Sequence, residues 1–164
     1  NHELCRFAEG LQQGSIVGST VVVLLAQRDD CAAIWAGDSR LYRLRGGVLS
    51  QVTEDHTLLD ELMASGLMSR EVAERQAGAN VITRAVGGQP ELLLDVLRFK
   101  AETGDRYLLC SDGLDKEVSE AEIQVMLGNG NCQSVAEALI NAALNGLGRD
   151  NITVVVSQFE RLTS

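Results

Sequence analysis

Runs of apolar residues predict short strands in the first third of the chain. Thr20 to Ala26 and Cys31 to Ala36 are apolar along most of their length, as is typical of buried strands. Leu41 to Arg45 and Val48 to Val52 instead alternate apolar and polar positions on either side of Gly46-Gly47. Alternation with a period of two around a glycine pair predicts a β-hairpin. This part of the chain is therefore predicted to form an antiparallel meander.

Apolar residues spaced by three and four positions predict helices elsewhere. A stripe from Leu58 to Met63 predicts a helix with Gly66 as its C-terminal cap. Ser119 followed by Glu122 has the spacing of a capping box and predicts a helix start. Two further helices are predicted at Glu3–Gln12 and Ser134–Leu144, the second with Val135, Ala138, Leu139 and Ala142 on one face, and a short helix is predicted to start at Ser69 and to include Ala73. The remaining predicted strands are Leu93–Phe99, Arg106–Cys110 and Asn151–Phe159.

The order of these elements is strands, helices, strands, helices and a final strand. This order predicts an α+β layered fold rather than alternating βαβ units. No repeat, low-complexity tract or linker interrupts the 164 residues, so residues 1–164 are expected to form one domain or a large piece of one. Because the chain opens on Asn1, without an initiator methionine or a signal-like pattern, upstream sequence is expected as well.

Composition narrows the classes of function. The formal charge is −9, with 23 acidic against 14 basic residues, which disfavours binding to the phosphate backbone of nucleic acids. No apolar stretch is long enough to cross a membrane, so no membrane partner is expected. The four cysteines are scattered and form no CxxC pair, which favours neither a zinc site nor a disulfide framework. Free thiols suit a reducing compartment, and a cytoplasmic location is the expectation.

Three aspartates stand where predicted strands end or begin. Asp38 follows Gly37, Asp112 precedes Gly113, and Asp150 precedes Asn151. A carboxylate at a strand end is held rigidly and points out of the core, so several of them meeting in space would suit Mg²⁺ or Mn²⁺. Taken one at a time, each aspartate also fits a turn or a loop cap, and for a single motif that structural role has the higher prior.

Taken together and in order, five motifs resemble one protein family. They are Gly18-Ser19-Thr20, Gly37-Asp38-Ser39-Arg40, Asp55-His56-Thr57, Ser111-Asp112-Gly113-Leu114 and Asp150-Asn151-Ile152-Thr153. This set closely resembles the PPM/PP2C family of metal-dependent protein phosphatases of the bacterial type, and the resemblance covers essentially the whole chain. It implies an α-β-β-α sandwich of two antiparallel sheets flanked by helices. It also implies metal-assisted hydrolysis of phosphoserine and phosphothreonine in proteins, as the counterpart of a bacterial Ser/Thr kinase.

The resemblance assigns roles by position. Asp112 and Asp150 match the family's ligands of two Mg²⁺ or Mn²⁺ ions, and Asp38 matches the residue that holds a third, weaker metal together with the Asp112 position. Asn151 is expected to orient the loop beside Asp150, and Gly113 to let the backbone turn sharply next to Asp112. Residues 58–90 correspond to the flap subdomain beside the cleft. No covalent intermediate is implied, and Cys110 is expected to be an inert core thiol.

The chain also departs from the family pattern. The family's early acidic residue, its Asp-Gly-x-Gly element and its upstream phosphate-binding arginine have no counterpart here. The expectation is therefore that the domain lacks its N-terminal portion, and that this chain alone binds metal weakly and hydrolyses little. The alternative is a non-catalytic, phosphatase-shaped binding module, and a generic α+β interaction domain is a third interpretation.

Several other polar residues allow a functional and a structural role. His56 could be an acid–base residue or a metal ligand, but a structural bridge between core and flap is favoured. Arg40, Arg84 and Arg149 could steer phosphate, although a local ion pair is favoured for Arg40. Asp115 could extend the metal site together with Glu117, but both are expected to begin and cap a short helix.

Overall fold

A computed structural model describes residues 1–11, 15–66, 72, 81–146 and 150–161. The helices are α1 (His2–Glu9), α2 (Leu58–Ala64), α3 (Asp112–Asp115), α4 (Glu120–Leu127) and α5 (Cys132–Asn145). The strands are β1 (Val21–Gln27), β2 (Asp30–Ala36), β3 (Arg40–Arg45), β4 (Val48–Gln51), β5 (Asp95–Lys100), β6 (Arg106–Cys110) and β7 (Val154–Gln158). The short helix predicted to start at Ser69 lies outside the described residues, apart from Val72.

Two antiparallel sheets form the body of the molecule. The first has the order β1-β2-β5 and the second the order β4-β3-β6-β7. In each sheet a strand from the second half of the chain pairs with one from the first half, β5 with β2 and β6 with β3. The predicted α+β architecture with two antiparallel sheets is confirmed.

Two tight turns follow from local sequence. Gly46 and Gly47 both have positive φ, 56° and 81°, as the two-residue hairpin between β3 and β4 requires. Arg28, with φ 58°, makes the turn between β1 and β2. Asp30, which precedes the predicted strand Cys31–Ala36, pairs with Gln27 as the first residue of β2.

Two apolar clusters hold the layers together. Between the sheets, Cys31, Ala33 and Trp35 project from one face of β2 and pack with Leu41 and Tyr107. Their spacing of two positions along β2 places them on one face of the strand, which explains their common burial. Behind the second sheet, α4 and α5 cover another cluster, whose fully buried members include Leu108, Leu114, Ile123, Leu127 and Leu139.

Helix α4 begins where the sequence predicts, whereas α5 begins two residues earlier than expected. Ser119 and Glu122 form both hydrogen bonds of a capping box. Asn131 caps α5 by accepting a hydrogen bond from the backbone N–H of Ser134, the residue expected to begin the helix. The predicted apolar face of α5 was partly wrong: its buried residues are Val135, Leu139 and Ala143, whereas Ala138 is exposed and Ala142 is half-buried.

A buried carboxylate that the sequence did not indicate ties the β5–β6 turn to the hairpin. The Asp105 side chain is 1% exposed and accepts two hydrogen bonds from the Arg45 guanidinium, at 2.8 and 2.7 Å. It also accepts hydrogen bonds from the backbone N–H of Glu102 and from the Tyr107 hydroxyl. Burial raises the pKa of Asp105, but these donors outweigh it and the net shift is downward. The charge is therefore compensated inside the fold.

None of the helices in the described part of the chain has the length and hydropathy needed to span a bilayer. The four cysteines are free thiols, and Cys31 and Cys110 are buried in strands as expected. Burial raises the pKa of the Cys110 thiol to about 12, so it is an inert core group.

Candidate metal centre

Asp112 and Asp150 are brought together by a hydrogen-bonded junction between two loops. β6 ends at Cys110, and Ser111 precedes α3 as its N-cap residue. The Ser111 hydroxyl accepts a hydrogen bond from the Thr153 backbone N–H at 3.0 Å and donates one to the Asn151 carbonyl at 3.2 Å. The Ser111 backbone N–H also donates to the Thr153 carbonyl at 3.1 Å. The loop that carries Asp150 is therefore fixed beside the start of α3.

These contacts explain why the last strand is shorter than predicted. The strand was expected to begin at Asn151, but β7 begins at Val154. The backbone from Asn151 to Thr153 is engaged by Ser111 instead of continuing the ladder with β6. The Asn151 backbone N–H also donates to Asp150 Oδ1 at 2.8 Å, which orients that carboxylate.

Gly113 is required for close packing rather than for a turn. It lies in α3 and is not among the residues with positive φ, so the expected sharp turn is not its role. A Cβ atom at this position would lie 2.4 Å from the carbonyl oxygen of Asn151, a backbone atom that cannot move independently. The glycine lets α3 pack directly against the loop that carries Asp150.

Replacing Gly113 with alanine is expected to destabilise the fold by about 1–3 kcal/mol, the usual cost of overpacking, because the Asp150 loop must move away from α3. Urea unfolding measures the effect. Gly10→Ala is the matched control, because Gly10 has negative φ and a Cβ there meets only Phe7 O at 3.5 Å. A Gly113→Ala variant no less stable than Gly10→Ala would contradict the packing argument.

Asp38 lies in the loop between β2 and β3, which is fixed on both sides. Gly37 has φ 111°, and a Cβ there would lie 2.3 Å from Thr20 Cγ2, so only glycine fits. Ser39 and Thr20 share a hydroxyl–hydroxyl hydrogen bond of 2.9 Å. Burial and the neighbouring charge of Asp112 both raise the pKa of Asp38. The Asp38 carboxylate is therefore within electrostatic range of Asp112.

Lys116 places a cation beside Asp112 and Asp150, and the sequence interpretation missed it. Its ammonium forms an ion pair with Asp112 Oδ2 and lies 3.8 Å from Asp150 Oδ2. The hydrogen bond to Asp112 raises the pKa of Lys116, burial opposes the rise, and the charges of Asp112, Asp150 and Asp38 add to it. The sequence did hold a clue to this contact: Lys116 follows Asp112 by four positions, and residues at i and i+4 share a helix face.

The three aspartates have the chemistry that a divalent metal site needs. Their negative charges all act on the Lys116 ammonium, and carboxylate oxygens are the ligands that Mg²⁺ and Mn²⁺ prefer. The donor atoms therefore fit a site for either ion. Among the residues that the structure describes, however, no group of three or more His, Cys, Asp or Glu side chains is close enough to hold a metal ion as it stands. The ligand roles of the three aspartates stay a prediction.

His56 supports the Asp38 loop through its ring and its backbone. Its Nδ1 accepts a hydrogen bond from the Gly37 backbone N–H at 3.2 Å, and its backbone N–H donates to the Gly37 carbonyl at 3.0 Å. Because Nδ1 is an acceptor, the proton lies on Nε2, which donates to Asp95 Oδ2 at 3.0 Å. His56 as a whole residue is 4% exposed, and its ring stacks on Trp35 with centroids 6.1 Å apart. These contacts agree with the favoured structural interpretation.

Arg40 forms ion pairs with two carboxylates, those of Asp55 and Asp115. It is bidentate to Asp55, with its closest contact at 2.7 Å, and also pairs with Asp115 at 2.9 Å. This agrees with a local ion pair rather than phosphate steering. Asp115 was expected to begin a helix, but it ends α3 and turns inward, and burial raises its pKa to about 6. Arg84 similarly pairs with Asp95 at 3.0 Å.

The predicted roles of Arg149 and of the flap segment involve residues that the structure does not describe. Arg149 lies outside the described residues, as do 67–71 and 73–80 of the predicted flap at 58–90. The described ends of that segment join the core by isolated bridges, Thr57 with Ile82 and Ser19 with Val86. The flap assignment stays a prediction.

The chain is similar in sequence and in structure to several bacterial serine/threonine phosphatases. No protein-family model matches the chain. The chain is 35% identical over 157 residues to the serine/threonine phosphatase stp of Listeria innocua, a match that covers 95% of this chain and 62% of that protein. The chain thus spans less than two thirds of the length of that relative.

Solved structures resemble the fold closely. A crystal structure of the Mycobacterium tuberculosis serine/threonine phosphatase PstP/Ppp matches with a TM-score of 0.84 at 36% identity, over 96% of this chain and 67% of that one. The catalytic domain of the phosphatase PstP in complex with two manganese ions matches with a TM-score of 0.80 at 35% identity, over 95% of this chain and 65% of that one. These likenesses confirm the sandwich of two antiparallel sheets with helices.

Proposed function

The chain belongs to the PPM/PP2C family of serine/threonine phosphatases, and from this premise we propose that the full-length protein hydrolyses phosphoserine and phosphothreonine in proteins with the aid of Mg²⁺ or Mn²⁺. The observation that carries the proposal is the placement of Asp112 and Asp150 about one ammonium group, with Asp38 close enough to Asp112 for that charge to raise the pKa of Asp38. These aspartates come from loops far apart in sequence, and their positions match the family's metal-binding motifs.

The proposal gives each residue of the cluster a task. Asp112 and Asp150 would hold two divalent cations, and Asp38 would hold a third together with Asp112. Gly113 and Asn151 would keep the two carboxylate loops at a constant separation through their direct backbone contact. When bound, the cations would supply the Lewis acidity that lowers the pKa of a water and neutralises phosphoryl oxygens.

The chemistry of the surrounding groups also favours metal-assisted attack by water over a covalent route. Cys110 is the thiol nearest in sequence to the cluster, but it is 2% exposed and its pKa is raised to about 12. Arg40 is held by Asp55 and Asp115 and is not available to cradle a phosphate for a thiolate. Neither Cys110 nor Arg40 is therefore available for a covalent route, which leaves the carboxylates of Asp112 and Asp150, now paired with Lys116, as candidate ligands for cations.

The physiological setting is a further part of the proposal. We place the protein in the cytoplasm, where it would oppose a Ser/Thr kinase by dephosphorylating that kinase's protein substrates. The free thiols at all four cysteines suit a reducing compartment. The net charge of −9 continues to disfavour a nucleic-acid partner.

The direct test is hydrolysis of a phosphothreonine peptide, followed by phosphate release with Mn²⁺ and with EDTA. We expect Mn²⁺-dependent activity from the full-length protein and little from the 164-residue chain, because the aspartates described here supply only part of a ligand set for two cations. A full-length protein that binds the phosphopeptide without releasing phosphate would support the binding-module alternative. Equal activity of the two forms would contradict the expected incompleteness of this chain.

A further inference from the structure

We propose that Lys116 is an internal cation that competes with divalent metal for Asp112 and Asp150, and thereby sets the metal affinity of the site. The inference rests on the proposed metal centre. It adds a residue that tunes the occupancy of that centre without serving as a ligand.

The backbone delivers Lys116 to the aspartates. Lys116 is the C-cap residue of α3, and its backbone N–H donates to the Asp112 carbonyl at 3.2 Å. One helical turn therefore separates the two residues, and their side chains lie on the same face. The Lys116 side chain is 48% exposed, yet its ammonium reaches back to Asp112 and approaches Asp150 to 3.8 Å.

The Lys116 ammonium matters because it offsets the negative charges of the neighbouring aspartates. Asp38, Asp112 and Asp150 bring three negative charges into one neighbourhood, and their mutual repulsion must be offset by a cation. Arg40 cannot do this, because its guanidinium is bound by Asp55 and Asp115. Among the described residues, Lys116 is the basic group in ion-pair contact with both Asp112 and Asp150.

The same carboxylate oxygens cannot serve the ammonium and a divalent ion fully at once. Asp112 Oδ2, which Lys116 contacts, is an oxygen that a metal would also use. Lysine has a flexible four-carbon stem with a compact charge, so the ammonium can swing into solvent when metal enters. We therefore expect a metal ion that binds here to displace the Lys116 ammonium from Asp112 and Asp150.

The proposal predicts opposite changes in two measurable quantities when the charge is removed. In the full-length protein, Lys116→Met should lower the Kd for Mn²⁺ by about tenfold, since a unit charge at this distance exerts at least that effect near a protein surface. The metal-free Tm, measured in EDTA at low ionic strength, should fall by about 2 °C because the aspartates lose their counter-charge. Calorimetric Mn²⁺ titration and differential scanning fluorimetry give the two values without relying on catalysis.

A second lysine provides the matched control. Lys100 bridges Asp29 at 3.3 Å and Asp30 at 2.8 Å, remote from the site and exposed. Lys100→Met removes the same charge from a similar two-carboxylate pairing, so it should leave the Kd for Mn²⁺ unchanged. Lys116→Arg keeps the charge and should stay closer to the parent affinity than Lys116→Met does.

The outcomes separate this inference from the proposed function. An equal or weaker Mn²⁺ affinity in Lys116→Met, or an unchanged or higher metal-free Tm, overturns the role of Lys116 while leaving the metal centre in place. If neither the parent nor any variant binds Mn²⁺, the proposed metal centre itself fails, and the competition fails with it.

Discussion

Replacing Asp112 and Asp150 together with alanine is expected to reduce Mn²⁺-dependent phosphatase activity of the full-length protein at least about a thousandfold. Removing one partner that merely orients a ligand costs about 10–100-fold in activity or affinity, and the loss of two ligands must exceed that. Both side chains contact the same ammonium in this structure, so their removal takes away the carboxylates that would share cations. Phosphate release from a phosphothreonine peptide measures the effect.

The fold itself should tolerate this double substitution. Asp112 and Asp150 are both partly exposed, with 27% and 49% of their side chains accessible, and ion pairs as exposed as theirs with Lys116 contribute about 1 kcal/mol or less to stability. The metal-free unfolding free energy should therefore change little, which urea unfolding in EDTA can verify. Asp29→Ala combined with Asp30→Ala is the matched control, because it also removes two carboxylates that share a lysine. Activity that survives Asp112→Ala plus Asp150→Ala while the control is also active would refute the site.

Substituting Arg40 with methionine is expected to destabilise the folded chain by about 3–5 kcal/mol at pH 8. The Arg40 side chain is 23% exposed, and it neutralises the carboxylates of Asp55 and Asp115, which are 10% and 13% exposed. Methionine fills much of the volume but leaves two buried negative charges without a counter-charge. Burial works against a charge on Arg40, yet its partners outweigh that cost and raise its pKa well above the ordinary value.

The destabilisation should depend on pH with a definite sign. Burial raises the pKa of Asp115 to about 6, Arg40 opposes that rise, and Asp55 adds to it. A carboxyl group with a raised folded-state pKa stabilises the fold at low pH and loses that contribution as pH rises through the folded pKa. Without Arg40 the pKa of Asp115 should rise further, so Arg40→Met should be less destabilised at pH 5 than at pH 8.

Urea unfolding at the two pH values measures this difference. Arg98→Met is the matched control, because Arg98 is an exposed residue of β5 and its loss should cost well under 1 kcal/mol, as is usual for exposed surface positions. An Arg40→Met variant that is equally destabilised at pH 5 and pH 8 would contradict the role assigned to the buried carboxylates. A loss of stability no larger than that of Arg98→Met would contradict the ion-pair argument altogether.

Local sequence determined most of the elements of this protein. Strand β6 was predicted with its observed bounds, and the helix start at Ser119 was recognised from its capping box. The hairpin at Gly46-Gly47 followed from the alternation of its flanking strands. Such features depend on residues within a few positions of one another, so periodicity and cap chemistry are sufficient to predict them.

Element boundaries were wrong where distant residues compete for the backbone. Asn151 to Thr153 has the composition of a strand, but Ser111 engages these residues and delays the start of β7. Gly113 was expected to allow a sharp turn beside Asp112, whereas the structure shows a close approach of the Asn151 carbonyl oxygen at this position. A partner 38 or more positions away leaves no trace in the local pattern.

By itself, the sequence determined the α+β class and the aspartates whose order resembles the PPM/PP2C motifs, and that resemblance in turn implied the two antiparallel sheets. Only the tertiary structure decided what surrounds those aspartates: Lys116 between Asp112 and Asp150, and Arg40 held by Asp55 and Asp115. The physical reason is that secondary structure arises from the periodic burial of neighbouring residues. A charge cluster arises from carboxylates and cations that meet only after the sheets have formed, and its counter-charges depend on distance and burial rather than on spacing along the chain.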